Sequence, residues 1–359
     1  MFQKSIILVG IVKWISIRPT FGNSEVNNNR SVGIIGAGIA GLACAHTLRS
    51  SGVQVKVLEK SRSVGGRVAT RRIDSGVTFD HGAQHFTVRD PAFRSQVKRW
   101  CEAGTAKLWL GRIVALKQGI VTDLHEPTER YVGVPGMNAI AKSLATGLDV
   151  HTNVTAQSIR RSDGAWQVQD TLGIQYGPFD LLISTAPPLQ TAKLFGDKSA
   201  AIESSLSKVT MDPCWAVLLQ MCERLETPFD AAFIHDSPLS WIARNSSKPE
   251  RHAADCWVLH ASPKWSRDHL EESVETIAKT LEAEFWQAIA QAPQPLEFVI
   301  AHRWRYALPQ EPLPQRFLLD GDLKLGACGD WCGGPRVEGA FLSGLALAAA
   351  VLEMNEIPG

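Results

Sequence analysis

Three glycines, Gly36, Gly38 and Gly41, stand in the stretch "GIIGAGIAGLACAHTLRSSGVQVKVLEK" (Gly33–Lys60), and Glu59 follows eighteen residues after the last of them. The apolar run before Gly36 reads as a buried strand, "IAGLACAHTLRSSG" as a helix stopped by Gly52, and "QVKVLEK" as a second strand. In that setting the spacing makes a cradle for a dinucleotide. Gly36 permits the tight turn, Gly38 lets backbone amides reach a pyrophosphate, and Gly41 lets helix and strand approach. Ile39 and Ala40 open the helix, where unpaired amides and the dipole favour an anion. Glu59, with Lys60 beside it, ends the second strand where a carboxylate can accept from ribose hydroxyls and would repel a 2′-phosphate.

The rest of the chain must supply whatever the dinucleotide acts on. With 359 residues the chain suits two domains. Hydrophobic residues make 45% and charged residues 20%, enough for a sizeable core, and the net charge of +1 gives no footing for a nucleic-acid surface. Seven scattered cysteines include no CxxC pair, so neither a zinc knuckle nor a disulfide framework is expected, and reduced thiols point to a cytoplasmic setting. "SIILVGIVKWISI" (Ser5–Ile17) is apolar but too short for a stable membrane span. Residues 1–30 read as a flexible leader or, lacking an acid before Glu25, an organellar targeting segment. "FDLLISTAPP" (Phe179–Pro188) is an apolar run suited to a parallel sheet buried on both faces. Residues 190–317 differ, with Trp-rich strand-like stretches and one acidic-opening helix, "HLEESVETIAKTLEAEFWQAIA". The tail runs strand, glycine-rich turn, apolar helix.

Two further motifs resemble flavoprotein segments, and the resemblance implies noncovalent FAD as the dinucleotide. "KSRSVGGRVATRR" carries Gly65, Gly66 and Arg67, and resembles the glycine-pair-plus-arginine extension of flavoproteins in the glutathione-reductase superfamily, its amine-oxidase-like branch in particular. That resemblance implies a loop along the pyrophosphate, with Gly66 and Arg67 touching it. In "GACGDWCGGPRVEGAFLSG", Gly329 and Asp330 resemble the segment that holds the ribityl chain, and the helix from Val337 would point its amino end at the flavin. "VHTNVTAQSI" resembles the strand whose backbone, near Val154, pairs with adenine. A second GxGxxG and a CxxxxC disulfide are both missing, which argues against a separate NADPH domain and a disulfide reductase.

Residues 31–353 as a whole resemble the renalases of bacterial type. Beyond the flavin motifs the likeness rests on "FDHGAQHFTVRDPAF", "VGVPGM", "MDPCWAV", "DSPLSWIARNSSKPER" and "AHRWRYA". It implies an α/β fold with a discontinuous Rossmann-like FAD domain (31–90, 130–190 and 318–356). A substrate domain with a mixed or antiparallel sheet (91–129 and 191–317) completes a p-hydroxybenzoate-hydroxylase-like topology. The implied activity is oxidation of isomeric 2- or 6-dihydro-NAD(P) to NAD(P)+ with oxygen reduced to hydrogen peroxide. Ala83 and Gln84 would lie on the cofactor, with His85, Phe86, Thr87 and Arg89 facing substrate. Trp215, Trp241, Arg244, His302 and Trp304 would form the opposite wall, and Arg336 would meet a substrate phosphate or carboxamide. His85 stands where some relatives carry Tyr, and Pro335 interrupts the turn before Arg336, so the likeness leaves the finer substrate preference open. A flavin-containing amine oxidase acting on a small amine is the competing expectation. Of the three tyrosines only Tyr306 falls in the expected substrate region, although tryptophan could serve as the framing ring. A third expectation, an accessory flavoprotein using FAD structurally, fits poorly with so furnished a middle segment. No residue is singled out as catalytic, since a hydride transfer to flavin asks for orientation and water exclusion more than side-chain chemistry.

Overall fold

A computed structural model of the protein describes residues 30–124 and 128–354. The expected leader, apart from Arg30, lies outside the described residues.

The glycine turn sits at the centre of a six-stranded sheet. Its strand order is Phe317–Asp320, Leu325–Cys328, Leu181–Ser184, Ser31–Ile35, Gln54–Leu58, Asp149–His151. All neighbours are parallel except the first pair. The inner strands Ser31–Ile35, Leu181–Ser184 and Leu325–Cys328 are nearly all buried, as continuous apolar runs in a parallel sheet require. Two helices cover the turn. Ile39–Ser50 follows the first strand and Val337–Glu353 follows the last, and they cross so closely that a Cβ on Gly344 would stand 2.1 Å from the Ala40 carbonyl oxygen. Both helices open alike. A Cβ on Gly41 would meet the Gly36 carbonyl oxygen at 2.1 Å, and one on Gly339 would meet that of Gly334 at 1.9 Å.

Two segments expected with the substrate portion pack on this side instead. Helix Pro91–Glu102 buries Phe93 and Trp100 against Phe341 of the C-terminal helix. Helices Pro188–Phe195 and Ala200–Leu206 bury Phe195, Ile202 and Leu206 with Ile35, Leu182 and Leu325 of the six-stranded sheet. Their apolar faces match that sheet's surface, which the chain must cover to close the layer.

A seven-stranded sheet forms the second layer, in the order Leu296–Pro309, Met211–Met221, Cys256–Ala261, Leu239–Arg244, Ala231–Ile234, Ile113–Lys117, Ile120–Asp123. It is antiparallel apart from Ala231–Ile234 against Ile113–Lys117. Helix Val274–Ala288, capped by the Ser273 hydroxyl, lays Ile277, Leu281 and Phe285 on one face. The other face turns toward the glycine turn, placing Trp241 and Ala243 in one core with Leu42, Val337 and Phe341. Among the described residues no helix is long and apolar enough to cross a membrane.

The helix crossing leaves no room for a methyl group. Gly344→Ala is expected to cost about 1–3 kcal/mol of folding stability, the range for overpacking a tight contact. Denaturant unfolding of the apoprotein checks this, and an unchanged midpoint would show that the helices can part freely.

Candidate active site

Each glycine in the turn occupies a distinct physical position. Gly36 has φ +107°, a conformation closed to most residues, and its N–H donates to the Leu58 carbonyl at 2.8 Å. Gly38 has open space where a Cβ would stand, so the backbone there can be approached by a ligand. The Gly65 N–H donates to the Ala37 carbonyl at 2.9 Å, which lays the glycine pair along the turn, and Gly66 is exposed beside Gly38. Ile39 and Ala40 are buried in the first helical turn, while Lys60 is exposed. These features fit a pyrophosphate: open backbone, a helix N-terminus and a second loop closing over it.

Glu59 is buried, and its carboxylate is drawn into the turn itself. Oε2 accepts from the Ala37 N–H at 2.7 Å and Oε1 from the Ser61 N–H at 2.8 Å. Each oxygen keeps a second lone pair for a ribose hydroxyl. The Val154 N–H is spent on the Glu59 carbonyl at 2.9 Å, so it is not available to adenine. Similarly, the Gly329 N–H is taken by the Ser343 hydroxyl at 2.9 Å.

Arg67 and Asp330, 263 residues apart, form a two-pronged ion pair with N–O distances of 2.6 and 2.8 Å. A further Arg67 N–H donates to the Ala307 carbonyl at 2.9 Å. The expected pyrophosphate and ribityl contacts are thus joined to each other. Asp330 is buried and Arg67 one-third exposed, so the pair presents its guanidinium outward. Arg67 also receives the chain that carries His85, since its carbonyl accepts the Ala83 N–H at 2.9 Å. Val337 is buried at the start of the C-terminal helix.

The seven-stranded sheet divides the expected wall in two. Directly opposed residues on antiparallel strands share a face. His302 opposes Ala216, Ala216 opposes His260, His260 opposes Trp241 and Trp241 opposes Phe233, a row running across five strands on the side toward the glycine turn. Trp304, opposite Cys214, joins this face. Trp215 is one residue out of phase and belongs to the other face. It is fully buried, donates Nε1–H to the His269 carbonyl at 3.1 Å, and lies under Arg303 at 5.5 Å. Arg244 also points away, bound to Asp255 at 2.6 Å and stacked 4.8 Å from the Trp257 ring centre. Neither belongs to the wall.

The segment from Ala83 to Arg89 is corrected in the same way. Gln84 turns inward, donating to the Asp80 and Gly82 carbonyls and accepting from Lys248 at 3.0 Å. Phe86 is core, ringed by Phe93, Trp100 and Tyr131. The Arg89 side chain is exposed, and its backbone N–H is held by Glu338 at 2.8 Å. Ala83, His85 and Thr87 are half-buried. Arg336 is exposed at the cap of the C-terminal helix, with φ +129°.

Several site residues escape a sequence-based reading. His81 packs edge-on to His302 at 4.7 Å and lies 5.0 Å from Trp304, whose indole N–H donates to the His81 carbonyl at 2.9 Å. His260 reaches the same carbonyl at 3.2 Å. His85 lies between Trp241 at 5.4 Å and Trp109 at 6.2 Å. Beneath them Asp80, fully buried, accepts from Arg251, Lys248, Thr70 and the Met137 N–H. Burial works to raise Asp80, but Lys248 and Arg251 outweigh it and hold the carboxyl below its ordinary value. Burial brings Lys248 down to about 8. "FDHGAQHF" and "ARNSSKPER" signalled that these segments mattered, but which side chains meet depends on pairing between strands far apart in sequence.

The imidazoles are all driven to the neutral form. Burial, then His302 and Arg71, lowers His81 to about 3. Burial, then Arg130 and Lys248, lowers His85 to about 3. Burial takes His260 to about 4, and burial with Arg71 takes His302 to about 4. The buried carboxylates are spent: Glu59, Asp80, Asp170, Asp212, Asp255, Asp330 and Glu338 are each engaged by an N–H, ammonium or guanidinium partner.

Comparison with known proteins follows this division of the chain. Residues 34–100 match the NAD(P)-binding Rossmann-like domain, and residues 100–352 match the family described as flavin containing amine oxidoreductase. Human lysine-specific histone demethylase 2 is 51% identical over 57 residues, 16% of this chain and 7% of that protein. An L-amino-acid oxidase of Bothrops pauloensis is 49% identical over 53 residues, 15% of this chain and 10% of that protein. The chain therefore aligns with only a small part of these relatives' length. Among solved structures, a putative protoporphyrinogen oxidase from Exiguobacterium sp. 255-15 superposes with a TM-score of 0.73 at 13% identity, over 92% of this chain and 100% of that one. Putrescine oxidase bound to putrescine gives 0.66 at 16% identity, over 90% and 99%. At these identities the likeness is one of fold.

Two outcomes follow from the geometry. Asp330→Asn removes the counter-charge that sets Arg67, and is expected to raise the Kd for FAD about tenfold or more, roughly 1.4 kcal/mol. Flavin fluorescence titration measures it, and an unchanged Kd would remove the pair from the cofactor site. Each of the four imidazoles has a folded pKa below the unfolded value of about 6.5. Their contribution to stability is therefore complete above pH 6.5 and lost as pH falls toward 4 and then 3. Denaturant midpoints should fall steadily from pH 6.5 to 4.5. A midpoint independent of pH over that window would contradict neutral burial.

Proposed function

Because the chain belongs to the family of flavin containing amine oxidoreductases and its cofactor is FAD, we propose that it is an oxidase of isomeric dihydronicotinamide dinucleotides. The reaction is 2- or 6-dihydro-NAD(P) plus O2 and a proton, giving NAD(P)+ and H2O2. When bound, FAD supplies the two-electron acceptor, at N5, and hands the electrons to oxygen. The chain's part is to bind and orient the dihydropyridine ring and to keep water from it.

The observation that carries this reading is the character of the wall. His260, His302, Trp241 and Trp304 share the sheet face toward the glycine turn and His81 packs on it, the imidazoles are neutral, and the buried carboxylates are already engaged. A flat, uncharged ring can stack on such a surface. An ammonium group entering it would find no free carboxylate and would lose its hydration without compensation. Trp304 is fixed by its bond to the His81 carbonyl, and its ring edge would be 3.4 Å from a Cβ on Gly82, so the wall is set directly against the segment that crosses Arg67. Oxidation of a small amine is the second reading, favoured by the family match and opposed by the wall.

Anaerobic mixing of the FAD-loaded protein separates the two. The 2- and 6-dihydro isomers should bleach the flavin within seconds, while ordinary NADH and a panel of primary amines should leave it oxidised. Bleaching by amines alone would overturn the proposal.

A further inference from the structure

Buried polar atoms without a partner are costly, so where they gather a ligand is expected. Of those among the described residues, three fall in a single cluster: His85 Nδ1, Arg130 Nε and Trp241 Nε1. Ring packing joins His85 to Trp241 and Trp109, a backbone contact brings in the Arg130 main chain, and the Arg130 charge acts on His85. The His85 ring lies 5.4 Å from Trp241 and 6.2 Å from Trp109, and the Trp109 N–H donates to the Arg130 carbonyl at 2.8 Å. Trp109 is itself fixed, with its indole N–H on the Ser247 hydroxyl at 3.1 Å and Lys248 over its ring at 5.7 Å.

Two of these three unpartnered groups are donors alone. Indole Nε1 and guanidinium Nε can only donate. Arg130 and Lys248 both press positive charge on His85, which helps to keep it neutral. The Asp80 carboxylate is consumed by Lys248 and Arg251. A cation would meet donors and like charge here, whereas an acceptor oxygen would satisfy a buried donor.

We propose that Trp241, Arg130 and His85 form a subsite for a hydrogen-bond-accepting oxygen carried by a planar substrate. The inference rests on the dihydronicotinamide reading above and deepens it, because the acceptor it calls for is a carboxamide or phosphate oxygen of such a dinucleotide. The same donors select against amines, so this subsite is where the protein departs from an amine-oxidising member of its family. Trp241 and Arg130 are specificity-determining residues; the ring that reacts sits on the adjoining His302–Trp304 surface.

Binding without turnover tests it. The oxidised holoenzyme is titrated with nicotinamide, benzoate, inorganic phosphate and benzylamine, following the visible flavin spectrum and tryptophan fluorescence. Nicotinamide and benzoate should bind and benzylamine should not. Trp241→Phe should weaken the planar acceptors about fivefold to tenfold, the scale of one lost hydrogen bond. Arg130→Gln should weaken benzoate more than nicotinamide. Both variants are compared at equal FAD content, which shows that they are folded. Phosphate binding that is sensitive to both substitutions would also support the subsite and identify a phosphate oxygen as its occupant. Benzylamine binding as tightly as nicotinamide, or acceptor affinities that ignore both substitutions, would overturn it. Should the dihydro isomers fail to bleach the flavin while these affinities still respond to Trp241→Phe, the reaction proposed above falls and the subsite stands.

Discussion

The ion pair between Arg67 and Asp330 is the contact on which the site depends. It ties the loop after the second strand to the turn before the last helix, across 263 residues. The Ala307 carbonyl on the same guanidinium brings in the long strand Leu296–Pro309, which carries His302 and Trp304. The Arg67 carbonyl receives the Ala83 N–H and so places the segment leading to His85. One arginine therefore sets the separation between the cofactor's backbone cradle and the wall that faces it. Such a pair is strong because it is two-pronged and because Asp330 is buried, and breaking either half strands a charge.

The same use of acids recurs throughout the site. Glu59 holds two amides of the glycine turn, Glu338 holds the amides of Arg89 and Asp90, and Asp80 gathers Lys248, Arg251, Thr70 and Met137. Negative charge is spent on building the frame, and what faces the ligand is left neutral or cationic. Burial with nearby cations then holds His81, His85 and His302 uncharged. What the fold then presents on the face of the seven-stranded sheet toward the glycine turn is a row of uncharged imidazole and indole rings.

What could be read from the sequence was what a single position dictates locally. Gly36 adopts a backbone conformation closed to most residues, Gly41 sits where a Cβ would strike a carbonyl, and Gly38 faces open space; each demand is met within a few residues of chain. The wall obeyed a different rule. Trp215 and Trp241 look alike in the sequence, yet strand alternation sends one to the helix-covered face and the other toward the flavin site. Arg244 follows Ala243 and is turned away for the same reason. His81, His260, Arg130 and Lys248 are brought in by pairing register and by the closure of distant segments, neither of which a linear motif encodes.

The proposed reaction would have FAD on the glycine turn and a nicotinamide ring against the opposite row of side chains. A crystal structure of the FAD-loaded protein with tetrahydro-NAD, a nonreactive analogue, tests this most directly. The predicted result is FAD pyrophosphate along Gly36–Gly41. The reduced pyridine ring should lie between the flavin and the His302–Trp304 surface, with an acceptor oxygen at Trp241 and Arg130. A nicotinamide dinucleotide lying in the glycine turn in place of FAD, or a ring bound away from that row, would contradict it.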